Sequence, residues 1–370
     1  MAAVTEPAVF FTGFPGFLGS ALLERVLARG DGPVACLVQP PYLETARRRA
    51  REITEEAASG TRADADREDA IRLYEGDITD PDLGLDDAGG LESIREVYHL
   101  AAVYDLGVER ELAEAVNVRG TEHVLEFATD RDVERFHYVS TCYVSGRYDG
   151  VFTEAHLREG QSFNNHYEET KFRAEVAVRE RMAAGMPATV YRPAIVVGDS
   201  RTGETDKYDG PYYLLQSILA QPSWLSATVS VPGSSDAELN VVPRDFVVDA
   251  IAYLSGRESS VGEVYQLCDP SPPSVPRFVD ALVDATGHRC VTLTIPKPLA
   301  RTLLDRLEGT RVSVEPATID YLDHPTRYAC PATRQALSGS GLEVPPFESY
   351  VDRLVGYARE NPDVGGEPMI

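Results

Sequence analysis

A glycine-rich turn near the N-terminus constrains the fold of this chain more than any other feature. The apolar run Val9–Thr12 predicts a short buried strand, and apolar residues at helical spacing follow from Phe17 to Leu27. Between them the sequence reads G-x-x-G-x-x-G. Glycine lets the backbone approach a pyrophosphate closely, and a helix N-terminus offers N–H donors and positive potential. The turn therefore predicts a dinucleotide site, although a plain strand–helix turn has the same outline. The candidate cofactor-binding residues here are Thr12, Gly13, Phe14, Pro15, Gly16, Phe17, Leu18 and Gly19.

Strands and helices alternate after this turn as far as about residue 198. Strands are predicted at 9–12, 34–38, 73–77, 97–101, 135–140 and 189–192, with helices at 17–29, 42–58, 107–129 and 166–184. This alternation predicts an α/β fold with a doubly wound parallel sheet, the Rossmann fold. The right-handed crossover rule then places every strand C-terminus at one edge of the sheet, where ligands bind in this architecture.

The regular pattern loosens after residue 198. Proline, glycine and aromatic residues alternate with short helices, as expected for a smaller, less regular C-terminal substrate domain. Residues of about 240–254 predict a strand and a helix that return to the main domain. We therefore predict a dinucleotide-binding Rossmann domain of 1–198 plus about 240–268, and a substrate-binding domain of about 199–239 plus 269–370.

Tyr167 and Lys171 lie four residues apart in the predicted helix of 166–184, and so on one face of it. An ammonium beside a phenol favours the phenolate, so a group with a pKa near 10 could exchange a proton near neutrality. The hydroxyl pair Ser140-Thr141 ends a predicted strand and can project into the same cleft. Ser140 is better read as support for the strand end, and Thr141 as the hydroxyl that faces a substrate.

The residues after the second strand bear on the choice of dinucleotide. An acid there would hold a ribose 2′-hydroxyl, and a basic residue would accept a 2′-phosphate. This chain has Gln39, which is neither, and arginines follow on the next helix, including Arg48. These features favour NADP(H), with NAD(H) possible. A solvated basic helix face is the alternative reading of the arginines.

Composition excludes several classes of partner. The formal net charge of −24 argues against nucleic acid and anionic membrane surfaces, and no apolar run reaches the length of a membrane span. Only three of the 35 basic residues are lysines, and this acidic, lysine-poor composition resembles halophilic proteins; an ordinary acidic protein from a GC-rich genome is the alternative. The five scattered cysteines form no metal-binding or disulfide pattern, so no metal is expected. Residues 59–70 predict an acidic surface loop. The first six residues carry no signal-peptide pattern, and we therefore expect a cytoplasmic protein.

Over about residues 8–270 the chain resembles the extended short-chain dehydrogenase/reductase family. The matching pieces are the glycine turn, Gly76-Asp77-Ile78, His99-Leu100-Ala101-Ala102, Asn117–Thr121, Val139-Ser140-Thr141, Tyr167 with Lys171, and Tyr191-Arg192-Pro193. Phe-Thr-Gly-x-x-Gly-Phe-Leu-Gly, Val-Ser-Thr-x-Tyr-Val and Arg-Pro-x-Ile-Val-Val-Gly resemble the branch of fatty acyl-CoA reductases and thioester-reductase domains. Gln39 departs from the arginine that this branch often has.

The resemblance implies a role for each matching residue. Tyr167 would be the general acid, Lys171 would bind the nicotinamide ribose, and Thr141 would hydrogen-bond the substrate carbonyl. Asn117 would brace the helix behind the site and hold a proton-relay water. The remaining residues would contact the cofactor: Asp77 and Ile78 at the adenine, Ala101 and Ala102 at the ribose and nicotinamide side, and Pro193 and Ile195 against the nicotinamide.

These observations predict an NADP(H)-dependent oxidoreductase that transfers hydride to an apolar carbonyl or acyl thioester. An NAD(P)-dependent sugar-nucleotide epimerase or dehydratase is the enzymatic alternative, with Arg244, Arg277 or Arg301 as a diphosphate clamp. A non-catalytic NADP-binding sensor or scaffold is the alternative of another class. Either a monomer or a homodimer fits the sequence. An apolar substrate pocket could be lined by Tyr208, Tyr212, Tyr213 and Trp224, which could equally be core residues.

Overall fold

A computed structural model describes residues 8–30, 32–56, 70–85, 90–307 and 316–364. The N-terminal residues 1–7, which bear on the signal-peptide prediction, lie outside the described residues, as does almost all of the acidic stretch 59–70. Within the described ranges, no helix is long and apolar enough to cross a membrane. The same ranges hold no group of three or more His, Cys, Asp or Glu residues that could bind a metal ion.

Thirteen strands and eleven α-helices are formed by the described residues. The strands are β1 (Val9–Thr12), β2 (Val34–Val38), β3 (Ile71–Glu75), β4 (Glu96–His99), β5 (Arg135–Val139), β6 (Gly150–Phe152), β7 (Ala188–Pro193), β8 (Ile195–Val197), β9 (Ser226–Ser230), β10 (Val241–Pro243), β11 (Val264–Leu267), β12 (Cys290–Thr294) and β13 (Thr326–Tyr328). The helices are α1 (Phe17–Arg29), α2 (Leu43–Glu56), α3 (Arg110–Ala113), α4 (Gly120–Asp130), α5 (His166–Ala183), α6 (Pro211–Leu219), α7 (Arg244–Ser255), α8 (Val275–Thr286), α9 (Lys297–Leu307), α10 (Pro331–Ala336) and α11 (Val351–Glu360).

Seven strands form one parallel sheet in the order β11-β7-β5-β4-β1-β2-β3. Strands β1 and β2 are buried along their whole length, as expected for a sheet covered on both faces. The order reverses between β1 and β4, and the crevice at such a switch point is where this architecture binds ligands. The doubly wound Rossmann fold predicted from the sequence is therefore confirmed.

Helices cover both faces of this sheet, because successive strand residues point to opposite sides. Phe11 lies in a core with α1, α2 and α7, whereas its neighbour Phe10 lies in a second core with α4 and α5. A π-helical segment, Glu114–Arg119, joins α3 to α4 without a break. Such single-turn segments often mark functional sites.

A third apolar core lies in the C-terminal part and joins α6, α8 and α11. Three short two-stranded parallel sheets lie outside the main sheet. They pair β9 with β12, β8 with β10, and β6 with β13. The predicted return near residue 240 forms as β10 and α7. However, β10 pairs with β8, and the strand that rejoins the main sheet is β11, beside β7.

Candidate active site

A cavity of about 1250 Å³ runs along the C-terminal edge of the main sheet. One part is lined by the glycine turn and by residues that follow β2, β3, β4, β5 and β7. The other part is lined by the segment 205–221, by β9, β12, α8 and α9, and by residues 318–322. The cavity therefore joins the predicted cofactor region to the elements of this second part, which are called the C-terminal lobe below.

The glycine turn has the geometry of a backbone cradle, and all eight residues from Thr12 to Gly19 line the cavity. Gly13 has a φ of +89°, and a Cβ there would lie 2.8 Å from the amide nitrogen of Ala101. A Cβ on Gly19 would lie 2.1 Å from the carbonyl oxygen of Gly13. The N-cap residue of α1, Gly16, provides no side-chain hydrogen bond to the first amides of the helix. The turn thus leaves N–H donors and space for an anionic group such as a pyrophosphate.

A chain of hydrogen bonds fixes the end of β4 behind this turn. Thr121 Oγ1 donates to the Asn117 carbonyl, so it accepts from His99 Nε2 at 3.0 Å. His99 Nδ1 then accepts from Thr12 Oγ1 at 2.8 Å, and Thr12 Oγ1 accepts from the Ala101 amide at 3.2 Å. Burial, with a smaller effect of Lys171, lowers the pKa of His99 to about 3. His99 is therefore neutral and structural.

The adenine end of the predicted site has an arrangement that the sequence did not indicate. Gln39 Nε2 donates to Asp77 Oδ2 at 2.7 Å, and Asp77 Oδ1 accepts two hydrogen bonds from Thr79, each 2.8 Å long. Gln39 and Ile78 line the cavity. The Arg48 side chain is 67% exposed on α2, and its Nε lies 4.0 Å from Glu52 Oε1. Neither Arg48 nor Asp77 is among the residues that line the cavity.

Thr141, Tyr167 and Lys171 meet on one wall of the cavity, together with Ser140. Thr141 Oγ1 accepts from the Tyr143 amide at 3.2 Å and makes a long contact of 3.4 Å to the Pro193 carbonyl. Ala101, Ala102, Pro193 and Ile195 also line this part of the cavity. The predicted catalytic wall and the predicted nicotinamide wall therefore face one space.

Burial raises the pKa of Tyr167 above its usual value, and a hydrogen bond with Thr141 opposes that shift. This direction is opposite to the sequence-based expectation of a phenolate favoured by Lys171. Lys171 Nζ donates to the Val139 carbonyl at 2.9 Å and lies 4.5 Å from the centre of the Tyr138 ring. Burial lowers the pKa of Lys171 to about 7, and Glu175 opposes the shift. Tyr167 is therefore a protonated phenol, and Lys171 titrates near neutrality.

Ser140 points away from this reaction space. Its Oγ donates to Glu175 Oε2 at 2.7 Å, and Glu175 forms an ion pair with Arg192 in which both side chains are fully buried. Arg192 also donates to the carbonyls of Thr153 and His156. The ion pair thus ties β5, α5 and β7 together beneath the site, with Ser140 as part of the support.

Asn117 lies behind the wall and is not among the residues that line the cavity. Its Oδ1 accepts from the Val103 amide at 2.9 Å, and its Nδ2 donates to the Val103 carbonyl and to Thr170 Oγ1, both at 3.0 Å. These bonds join the π-helical segment to α5 one turn from Tyr167. Asn117 thus links these two elements through direct hydrogen bonds.

Several cavity-lining residues were not identified from the sequence. Tyr104 and Lys207 meet across the cavity, with the ammonium 3.5 Å from the ring centre, and Tyr143 and Tyr321 form another wall. Lys207 also forms an ion pair with Asp209. The one available signal was the rarity of lysine, since two of only three lysines line this cavity.

The aromatic residues proposed for the pocket divide into three groups. Tyr208 and Tyr213 line the cavity, Tyr212 lies in the C-terminal core, and Trp224 is 71% exposed. Each of the three arginines suggested as a diphosphate clamp faces a carboxylate instead. They are Arg244 with Glu204, Arg277 with Glu348, and Arg301 with Asp320.

The family model described as "Male sterility protein" matches residues 11–251. Among solved structures, the chain is similar to the terminal R domain from the myxalamid PKS-NRPS biosynthetic pathway, with 27% identity and a TM-score of 0.82 over 99% of this chain and 94% of that one. Its fold is also similar to that of a thiolation-reductase di-domain from an archaeal non-ribosomal peptide synthetase, with 19% identity and a TM-score of 0.70 over 98% of this chain and 77% of that one.

Among curated proteins, a linear gramicidin synthase of Brevibacillus parabrevis is 28% identical over 284 residues, which is 74% of this chain. The chain spans only 5% of the length of that relative. It spans 26% to 31% of the length of four other curated relatives, all of them non-ribosomal peptide synthetases. The similarity therefore concerns one region of much longer proteins.

Proposed function

We propose a function for this chain on the premise that it belongs to the NAD-binding family described as male sterility protein. It is an extended short-chain dehydrogenase/reductase, and so an NAD(P)-dependent oxidoreductase of thioester-reductase-like type. The finer proposal is that it uses NADP(H) to reduce an apolar carbonyl or acyl thioester, with Tyr167 as the proton donor. One observation carries this proposal: a single cavity is lined by the glycine turn, by Thr141, Tyr167 and Lys171, and by apolar residues of the C-terminal lobe.

The glycine turn and the N-terminus of α1 would hold the pyrophosphate of the dinucleotide. When the dinucleotide is bound, its nicotinamide would supply the hydride. Lys171 Nζ has three donors and uses one on the Val139 carbonyl, so it has donors left for ribose hydroxyls. Pro193 and Ile195 would support the nicotinamide face. The close contacts that a Cβ would make at Gly13 and Gly19 support this placement.

Thr141 and Tyr167 would act on the substrate oxygen. The Thr141 hydroxyl makes a long contact with the Pro193 carbonyl and a hydrogen bond with the Tyr167 phenol. Its proton would turn from these to a substrate oxygen on which charge develops. The partly buried phenol of Tyr167 has a raised pKa and stays protonated near neutrality, as a general acid requires. A phenol of raised pKa is also better matched in basicity to an alkoxide than an ordinary phenol is.

The C-terminal lobe would bind the rest of the substrate. Its wall includes apolar side chains that reach the cavity from several elements, namely Val229, Leu239, Val279, Leu293, Leu303, Leu304, Ile319 and Leu322. Such a wall suits an aliphatic or aromatic acyl group. We propose that the thioester is carried by a thiolation domain, in keeping with the thiolation-reductase di-domain of similar fold. A coenzyme A thioester is the other source, and the substrate series below separates the two.

For the cofactor we propose a preference for NADP(H). Asp77 does not line the cavity and already accepts three hydrogen bonds from Gln39 and Thr79, so this carboxylate is poorly placed to hold a ribose 2′-hydroxyl. Arg48 presents an exposed guanidinium on the helix after β2, and its contact with Glu52 is long. A 2′-phosphate would be a stronger partner for it than a solvated carboxylate.

Fluorescence titration of NADPH and NADH tests this preference. In the wild type NADPH should bind more tightly, and Arg48→Ala should weaken NADPH by about tenfold while NADH changes little. Arg95→Ala removes an exposed arginine at the opposite edge of the sheet and serves as the control. Tighter binding of NADH by the wild type would overturn the preference.

The sugar-nucleotide alternative lacks support in the cavity. Among the described residues, Lys171 and Lys207 are the cationic side chains that line it, and Lys207 is paired with Asp209. A nucleotide diphosphate usually needs free basic groups. The alternative of a non-catalytic NADP-binding protein is not favoured either. Such a protein would not need Thr141, Tyr167 and Lys171, and all three line the cavity.

The oxidation of NADPH with a series of substrates tests the proposed reaction. The series contains aldehydes, acyl-CoA thioesters and acylated thiolation domains of increasing chain length, with UDP- and dTDP-sugars as the opposing set. Because each buried methylene contributes about 0.8 kcal/mol, kcat/KM should rise about fourfold per methylene until the cavity is filled. Activity confined to the sugar nucleotides would refute the proposal, and activity on aldehydes alone would restrict it to carbonyl reduction.

A further inference from the structure

The first turn of α5, which carries Tyr167, is held by a residue from a distant part of the chain. Tyr321 lies at the end of a 3₁₀ helix, Pro316–Tyr321, and its side chain is nearly buried. Its hydroxyl donates to Glu168 Oε1 at 2.7 Å and accepts from Asn165 Nδ2 at 2.9 Å. These two partners flank His166 and Tyr167 in the sequence. One phenol therefore binds the side chains of the residues on both sides of His166 and the proposed proton donor, Tyr167.

Glu168 and Asn165 are themselves the groups that start the helix. Asn165 is the N-cap, and its Oδ1 accepts from the Glu168 amide at 3.0 Å. The fully buried Glu168 carboxylate accepts from the Asn164 amide at 2.8 Å and from Asn164 Nδ2 at 3.0 Å. The Tyr321 hydroxyl closes this network from outside the helix. Loss of that hydroxyl would remove one donor from a buried carboxyl and one acceptor from the capping amide.

The next residues of α5 are held by other elements. Asn117 holds Thr170, and Lys171 holds the end of β5 through Val139. Tyr321 holds the first turn of α5 and is also linked to Thr141 through Tyr143. Its ring packs edge-on against Tyr143 with centroids 5.1 Å apart, and the Tyr143 amide donates to Thr141 Oγ1.

We propose that Tyr321 is a positioning residue for the reaction: it fixes the first turn of α5, and so holds the phenol of Tyr167 at a set distance from the hydroxyl of Thr141. The inference rests on the proposed function, because it takes Tyr167 and Thr141 as the groups that act on the substrate. Tyr321 thus adds to the support of the site a residue that lies far from the reductase motifs in the sequence. The Tyr321 hydroxyl itself is engaged by Asn165 and Glu168 and has no part in proton transfer.

Tyr321→Phe tests the proposal, with Tyr328→Phe as the matched control. Tyr328 belongs to the same aromatic cluster, and its buried hydroxyl bonds Ser145 and His324, but neither partner is on α5. Each variant keeps its ring and loses one buried hydroxyl. Three quantities are measured for each: kcat with NADPH and the best substrate, the dissociation constant of NADPH, and hydrogen exchange of the amides of residues 166–170.

We expect Tyr321→Phe to lower kcat by about tenfold or more, because small displacements of a catalytic group cost large factors in rate. The dissociation constant of NADPH should change less than twofold, and amide exchange at 166–170 should rise. Tyr328→Phe should leave kcat and that exchange close to the wild-type values. Equal effects of the two variants on kcat and on exchange would overturn the proposal.

The exchange measurement also separates this inference from the proposed function. If the wild type oxidises NADPH with no member of the substrate series, the proposed function fails. The amides of α5 then still report whether Tyr321 holds the turn. Unchanged exchange in Tyr321→Phe would overturn the brace irrespective of any activity.

Discussion

Lys171 gives the proposed site a pH dependence that follows from its surroundings. The side chain is buried, donates to the Val139 carbonyl at 2.9 Å and lies over the Tyr138 ring. Burial lowers the pKa of Lys171 to about 7, and Glu175 limits the shift. The protonated fraction in the cofactor-free protein therefore falls from about 0.9 at pH 6 to about 0.1 at pH 8.

We expect the protonated form to be the active one, because an ammonium would attract the anionic dinucleotide and donate to its ribose. Activity should then be highest below the pKa of Lys171 and should be lost as the pH rises through it. We expect kcat/KM for NADPH, which reports the free enzyme, to fall about tenfold per pH unit above about pH 7. Tyr167 adds no loss in this range, because burial raises the pKa of its phenol.

The profile is measured by the initial rate of NADPH oxidation from pH 5.5 to 9 at constant ionic strength. Lys171→Met removes the titrating charge, so its profile should be low and flat. Lys207→Met is the control, since it removes the other cavity-lining lysine, which is paired with Asp209. The reasoning is refuted if the wild-type profile is flat from pH 6 to 8, or if the decline persists in Lys171→Met.

Three further predictions concern the cradle, the support of the site and the charge. Gly19→Ala should abolish measurable NADPH binding in a fluorescence titration, because its Cβ would lie 2.1 Å from a carbonyl oxygen; Gly356→Ala, which meets nothing within 4 Å, should bind normally. Glu175→Gln should lower the free energy of unfolding in urea by about 3–5 kcal/mol, because it leaves the fully buried Arg192 without its counter-charge, and a smaller loss would show that water or rearrangement compensates. With a net charge of −24, the melting temperature should climb with KCl as the Debye length falls from about 10 Å at 0.1 M to about 3 Å at 1 M, and a flat curve would mean that the acidity is incidental.

The sequence was most informative where function depends on local order along the chain. Thr12, Thr141 and Pro193 each lie at or just after the end of a predicted parallel strand, and parallel strands end at one edge, so their meeting in one cavity could be expected. The glycine turn was readable for the same reason. Its spacing specifies both the close approach of the backbone and the helix that follows.

Features that depend on contacts between distant segments could not be read in this way. The Gln39–Asp77 pair arises because β3 lies beside β2 with Glu75 opposite Val38. Tyr321 reaches α5 from about 150 residues along the chain. The raised pKa of Tyr167 depends on how deeply the fold buries the phenol, which the four-residue spacing to Lys171 does not reveal.

The central claim is that Tyr167 delivers the proton when hydride reduces the substrate, and a single-turnover experiment tests it most directly. Enzyme saturated with NADPH is mixed with the best substrate of the series, and the decay of NADPH absorbance is followed for the wild type and Tyr167→Phe. The substitution keeps the ring and removes the donor. We predict a rate lower by about 10² or more, with the dissociation constant of NADPH nearly unchanged. A rate within a few fold of the wild type would contradict it.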